Sequence, residues 1–302
     1  MHRRPALAVP IVGVALLLVA GAPLWPEGPA RASLPLVATF LDVGQGDAIW
    51  VRTPDGEDVL IDGGPRTDGA VRDYLLSHGC ADVELMVLTH PHADHVSGLV
   101  PVLEGMPVDE VWYNGQQYAS AIYGRFLGLI AAEGIFSRTV RAGETYTRGS
   151  ITLQVLHPAT LRTSEANDNS VVCRMSYGDV DLLLTGDVEA SGEGEMLGRG
   201  VPLKAEVLKV AHHGSDSSST QGFLEAVAPE VAVISVGAGN PYGHPSAATV
   251  SRLRGMGAAV HRTDWCGTLV LTTDGTSYTL APPGCWLYVY LPLAVRDVGP
   301  AP

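Results

Sequence analysis

The chain has 302 residues, 46% of them hydrophobic and 17% charged, and a formal net charge of -13. That composition excludes a disordered chain and allows one large α/β domain or two small ones. The acidity excludes a broadly basic nucleic-acid-binding surface, although a bound cation would still let one local site take an anion.

The first 32 residues stand apart. Arg3 and Arg4 precede an uncharged, mostly apolar run that reaches Trp25, and "ARA" follows at Ala30–Ala32. A charged start, an apolar stretch and small residues at a cleavage position read as an export signal. The run is about 20 residues long, enough to span a bilayer, so a retained N-terminal anchor is the alternative. Either way the arginines stay inside and the rest of the chain is expected to be extracytoplasmic, whether secreted, periplasmic or anchored.

Beyond residue 36 strands and helices alternate. "LVATFLDVGQGDAIWVRTP" and "EDVLIDGG" read as two strands with a turn at "PDGE". "AVRDYLLSHG" is a helix stopped by Gly79. "VELMVLTH" is almost wholly apolar, which suits a strand buried on both faces. "VSGLVPVLEGM" is a helix, "VDEVWYN" a strand, "ASAIYGRFLGLIAAEG" a helix and "ITLQVLHP" a strand. "SVVCRMSYGDVDLLLTGD" is a hairpin, and "AEVLKVAHHGS" a strand and loop. "TQGFLEAVAP" and "SAATVSRLRGMG" are helices on either side of the strand "EVAVISVG", and "AAVHRTDWCGTLVLTTDGTSYTLAP" holds the last strands. The alternation predicts sheets sandwiched between helices. A folded region at 36–280 would thus lie between the N-terminal segment and a proline-rich tail at 281–302.

Metal-binding side chains gather at the strand ends. "VLTHPHADHVSGL" places His90, His92, Asp94 and His95 after one apolar strand. Asp187 follows another in "LLLTGD", His212 and His213 a third in "LKVAHHGS", and His244 a fourth in "YGHP". Loops at strand ends are where a rigid sheet converges side chains on one point. Clustered imidazoles and carboxylates are costly to desolvate, and a divalent cation removes that cost. His90 and His92 alternate with Pro91 and can point one way, leaving Asp94 and His95 for a second ion. His213 and His244 divide between ligand, proton donor and scaffold. Asp42, Asp47 and Asp62 either brace the metal-binding histidines or shape glycine-rich turns. His78, His157 and His261 are isolated and read as surface or core residues.

These motifs resemble those of the metallo-β-lactamase fold, for which "THPHADH" is the signature. "FLDVGQGDAIWVRTPDGEDVLIDGG", "DNSVVCRMSYGDVDLLLTGD", "LKVAHHGS" and "ISVGAGNPYGHPS" are similar to one branch, the extracytoplasmic hydrolase domain of the ComEC competence proteins and their free-standing relatives. The resemblance covers about residues 36–280 and implies an αββα sandwich with a binuclear hydrolase site. It implies His90, His92, Asp94, His95, Asp187 and His212 as metal ligands, with Asp187 bridging and His213 as the other candidate at the "HH" position. Two divalent ions are expected, zinc first and manganese as the alternative. The chain departs from the fold's wider pattern where another histidine is usual: "SEANDNS" has none, so Asn169, Asp168 or a water is expected there. Oxygen donors would soften the preference for zinc.

The activity implied is phosphoester hydrolysis. Asp94 would orient the attacking water, His213 or His244 would protonate the leaving oxygen, and Asn169 and Ser215 would contact the substrate. Single-stranded DNA is the leading substrate, and a membrane protein of a DNA-uptake system a candidate partner. The alternatives are a non-catalytic, metal-stabilised module of a competence or envelope complex, and a lactone or choline-ester hydrolase of the same fold. Cys266 and Cys285 bracket the last hairpin, where export would allow a disulfide.

Overall fold

The computed structural model describes residues 34–162 and 165–282. The expectations for residues 1–32, for the tail from residue 283 and for Cys285 lie outside the described residues. Among the described residues no helix is long and apolar enough to cross a membrane.

The fold is an αββα sandwich, as expected. The first sheet takes β1 (Leu36–Phe40), β2 (Ile49–Arg52), β3 (Asp58–Ile61), β4 (Leu85–Leu88), β5 (Glu110–Tyr113) and β6 (Phe136–Thr139). The second takes β7 (Thr145–Arg148), β8 (Ile151–His157), β9 (Val172–Tyr177), β10 (Val180–Leu184), β11 (Val207–Lys209), β12 (Val231–Ile234) and β13 (Ala259–Arg262). The chain then returns to the first sheet with β14 (Leu269–Thr273) and β15 (Tyr278–Ala281). The sheet orders are β15-β14-β1-β2-β3-β4-β5-β6 and β13-β12-β11-β10-β9-β8-β7.

Outer helices cover both sheets. On the first lie α1 (Ala70–Ser77), α2 (Ala93–Val96), α3 (Leu99–Gly105) and α4 (Ala121–Glu133). On the second lie α5 (Ala190–Arg199), α6 (Gln221–Val227) and α7 (Ala247–Gly255), and a short α8 (Thr263–Cys266) follows β13. Alternation along the strands sorts side chains between layers. Leu36, Ala38, Phe40, Leu153, Val155 and Leu182 face the seam between the sheets. Leu60, Met86 and Leu88 turn to the helices of the first sheet, and Leu183, Leu208 and Ala232 to those of the second. β3, β4 and β5 pair in parallel, as do β10, β11, β12 and β13. Their carboxyl ends therefore open at the same edge of each sheet, where the polar loops lie.

Several elements differ from the sequence reading. The segment read as one strand before "PDGE" is β1 and β2, separated by the "LDVGQGDA" loop, which carries Asp47 into the centre. The helix read over "VSGLVPVLEGM" is preceded by the single turn α2, which holds Asp94 and His95. Helix α5 has no counterpart in the sequence reading, because Gly192, Gly194 and Gly198 lie inside it and glycine opposes helix.

Candidate metal centre

The two sheets feed side chains into one crevice. From the first come Asp47, ahead of β2, Asp62, at the end of β3, and the β4–α3 loop with His90, His92, Asp94 and His95. From the second come Ser170, ahead of β9, Asp187, after β10, and His212 and His213, after β11. Asp62, His212 and His213 are non-glycine residues with φ of 56°, 48° and 52°. Such left-handed backbone costs about 1–3 kcal/mol and concentrates at functional sites. The β4–α3 loop is also locked in place: a Cβ on Gly98 would lie 1.8 Å from the carbonyl oxygen of Gly63. Gly98→Ala is therefore expected to push apart the loops that carry Asp62 and His95. Overpacking of this kind costs about 1–3 kcal/mol, and here it meets backbone rather than a movable side chain. A melting curve should drop by several degrees, and an unchanged one would mean the loops are loosely packed.

Asp187 is at the middle of the crevice. Its Oδ2 lies 3.2 Å from His95 Nε2, 3.5 Å from His213 Nε2, 3.9 Å from His90 Nε2 and 4.0 Å from His212 Nε2. Asp94 Oδ2 is 3.4 Å from His213 Nε2. Asp94, His95, Asp187 and His213 thus each present one donor atom within 4.8 Å of the others. A second pair lies close by, with His90 Nε2 3.0 Å from His92 Nδ1. Among the buried atoms, His95 Nε2, His213 Nε2 and Asp187 Oδ1 have no hydrogen-bond partner. An unsatisfied buried polar atom costs about 1–3 kcal/mol, so three converging on one point fit a cation held between them. Imidazole nitrogen and carboxylate oxygen are ordinary ligands for zinc, iron and manganese.

The electrostatics agree. Burial opposes charge on His95, but Asp187 and Asp62 outweigh it and hold its pKa well above the imidazole range. Burial likewise opposes charge on His213, yet Asp187, Asp47 and Asp94 carry it up to about 10. Burial would raise Asp187 and Asp94, but the neighbouring histidines bring both below the carboxylate range. His90 goes the other way: burial and the neighbouring His95 lower it well below the usual value. The carboxylates thus favour the charged form of His95 and His213, while burial and His95 disfavour it at His90.

The rings of His95 and His213 are held from behind. His95 Nδ1 is 2.8 Å from Asp62 Oδ2, and Asp62 in turn accepts from the backbone and hydroxyl of Thr89. His213 Nδ1 is 2.9 Å from the carbonyl oxygen of Ser235 and 3.3 Å from Asp47 Oδ1. Lys209 Nζ lies 2.6 Å from Asp47 Oδ2, and both side chains are buried. Burial raises Asp47, but the Lys209 ammonium and His213 outweigh it and bring its carboxyl below the usual range. Asp47 and Asp62 thus brace histidines, while Asp42 is exposed and accepts from Gly44 N to shape the turn.

The expected site residues divide between the crevice and its surroundings. Of the two adjacent histidines it is His213 that joins Asp94 and His95, while His212 turns to Glu189, with Nδ1 3.0 Å from Oε1. Asn169 is fully buried, accepts from Arg162 N and donates to Arg162 O, so it cannot contact a substrate. Asp168 is also engaged elsewhere, accepting from Glu189 N and Gly192 N. The residue that turns to the centre from this stretch is Ser170. Its Oγ accepts from Asp187 N and lies 3.4 Å from His90 Nδ1. Ser215 is buried and pairs with Ser217, which donates to Glu189, so it braces the His212–Glu189 pair. His244 is at the rim, its ring 5.4 Å from that of His212. His157 is a core residue bonded to Asp168 O, His261 is buried in β13, and His78 stacks on Tyr74, all away from the crevice.

Sequence reading missed Lys209, Glu189, Ser170 and Ser235. Lys209 had a visible signal: it is a lone charge inside the apolar run "VLKVA". The other three are ordinary polar residues in loops and carry none.

An αββα sandwich whose two sheets meet at a histidine–aspartate crevice defines a metal-binding hydrolase-type scaffold. The chain belongs to the metallo-beta-lactamase superfamily, whose family model matches residues 41–238. It is 29% identical over 248 residues to ComE operon protein 3 of Bacillus subtilis, covering 76% of this chain and 32% of that protein. It is 32% identical over 236 residues to competence protein ComA of Neisseria gonorrhoeae, covering 76% of this chain and 31% of that protein. The chain therefore spans about a third of the length of these relatives. Among solved structures, a metallo hydrolase from the archaeon Ignicoccus hospitalis superposes with a TM-score of 0.52 at 16% identity, covering 78% of this chain and 98% of that one.

Proposed function

We propose that the protein is a binuclear metal-dependent phosphodiesterase that acts on nucleic-acid strands outside the cytoplasm, in association with a DNA-uptake system. The observation that carries this reading is Asp187, a buried carboxylate whose Oδ2 lies 3.2–4.0 Å from nitrogens of His90, His95, His212 and His213. His90 and His92 would hold one cation, Asp94, His95 and His213 the other, with Asp187 shared. Zinc is the first expectation and manganese the second, since Ser170 rather than a histidine completes the His90 side. When bound, the ions supply charge neutralisation at the phosphoryl oxygens and activation of a water.

The chain's own side chains do the rest. Asp62 and Asp47 fix the ring orientations of His95 and His213, so the donors need not reorganise. Asp94, partly exposed at the crevice mouth, orients the attacking water. Burial and the neighbouring histidines lower the pKa of His244. His244 and the Glu189-bound His212, at the rim, would pass a proton to the leaving oxygen. The likeness to the two competence proteins supports the DNA-uptake association, and the N-terminal segment supports the extracytoplasmic location.

The test compares wild type with Asp94→Ala for metal content by mass spectrometry and for turnover of bis-nitrophenyl phosphate and single-stranded DNA. About two ions in the wild type, with turnover lost in the variant, are expected. Metal without turnover of any phosphodiester would overturn the enzyme reading and favour a metal-stabilised binding module.

A further inference from the structure

A pocket of about 380 Å³ opens beside His92, with Gln116, Gln117, Tyr118, Glu165 and Asn167 on its walls. It borders the candidate centre directly, because His92 itself lines it and has Nδ1 3.0 Å from His90 Nε2. Asn167 ties it to the centre a second time: its Nδ2 donates to Glu189 Oε1 at 3.2 Å, and Glu189 holds His212. Among the described residues, the buried carboxamide oxygens Gln116 Oε1 and Asn167 Oδ1 have no hydrogen-bond partner. Gln116 is only 8% exposed, and its backbone is fixed by the Asn114 carboxamide and the Tyr123 hydroxyl. Each unpartnered oxygen costs about 1–3 kcal/mol, which an occupant with N–H groups would relieve. The outermost torsion of a carboxamide side chain is soft, so a small turn brings either oxygen to such an occupant. Tyr118 supplies an aromatic surface: it is 40% exposed and meets the His92 ring at 67°, with centroids 5.4 Å apart.

We propose that this pocket holds a nucleoside next to the scissile phosphate, with its base against Tyr118 and the base edge on the Gln116 and Asn167 carboxamides. The position of the phosphate rests on the phosphodiesterase reading, whereas base binding does not. The volume is at the small end of the about 300–1,000 Å³ usual for ligand sites, which suits one nucleoside better than a length of strand. Glu165 puts a carboxylate on the wall, so a neutral group is favoured there over a second phosphate. A base is neutral, has a flat face for a tyrosine and carries hydrogen-bonding groups along its edge. A carboxamide answers that edge with both a donor and an acceptor. In a duplex the base is stacked and its edge is paired, so the pocket selects unpaired strands.

The test is calorimetric titration of the full-length protein, in zinc-containing buffer, with phosphorothioate-linked dithymidylate and with the same ligand lacking both bases. The bases should strengthen binding to the wild type by at least about tenfold. Tyr118→Ala should weaken dithymidylate about tenfold and leave little difference between the two ligands, while Tyr118→Phe should stay within about threefold of the wild type. Gln116→Ala should weaken dithymidylate about fivefold. Melting curves establish that the variants are folded. The proposal is overturned by no binding of dithymidylate, or by equal affinity for the two ligands in the wild type. Equal loss of both ligands in Tyr118→Ala, a Tyr118→Phe protein as weak as Tyr118→Ala, or unaltered affinity in Gln116→Ala would also overturn it. A base contribution that vanishes with Tyr118, in a protein that cleaves no natural dithymidylate, would keep the pocket and overturn the proposed function. Cleavage of dithymidylate with equal affinity for the two ligands would do the reverse.

Discussion

Asp187→Asn is expected to lower phosphodiester turnover by more than about 100-fold, since a direct ligand should matter more than the about 10–100-fold typical of outer partners. Among the described residues, Asp187 is the only carboxylate within 4 Å of His90, His95, His212 and His213 alike. Its loss should therefore strip metal from both donor groups, which mass spectrometry would read directly. Heat would read it again. A cation at 100 times its dissociation constant stabilises the wild type by about 2.7 kcal/mol. For a domain of this size that is roughly 5–10 °C in melting temperature. The asparagine variant should show no such shift. A variant that keeps two ions and the full shift would show that Asp187 is not the shared ligand.

Lys209→Met should be the most damaging change outside the donor set. Lys209 and Asp47 are among the buried residues and make a 2.6 Å pair. Removing the lysine leaves Asp47 charged in a dry site, and breaking a buried pair in this way costs about 3–5 kcal/mol. The melting temperature should fall by roughly 10 °C. Adding Asp47→Asn removes the stranded charge, so the double variant should be more stable than the sum of the two single losses. Simple additivity would show that the two side chains act independently.

Much of this candidate centre was legible in the sequence, because its donor side chains come directly after strands that are apolar throughout. "VELMVL" before His90 and "DLLL" before Asp187 mark strands buried on both faces, and the loop leaving such a strand has to emerge at a sheet edge. The fold class was legible from the same alternation. The parts that stayed hidden have physical reasons. β6 and β7 are exposed or half-buried, reading "FSRT" and "TYTR", so they lack the apolar run that betrays a strand. The Lys209–Asp47 pair joins residues far apart in the chain, and no local pattern links them. Asn169 and Ser170 are neighbours, but backbone direction alone decides that the serine faces the centre and the asparagine faces Arg162. The exchange between His212 and His213 turns on two consecutive left-handed residues, a conformation no side-chain pattern foretells.

The division of the donors between the sheets also limits how the molecule can move. Asp47, Asp62, Asp94 and His95 ride on one sheet, and Asp187, Lys209 and His213 on the other. A shear of one sheet over the other by even an ångström would draw Lys209 from Asp47 and Asp187 from His95 together. Sliding of the two halves would thus break the centre's own contacts. Any opening of the crevice is therefore left to the loops at its rim, while the sheets stay in register.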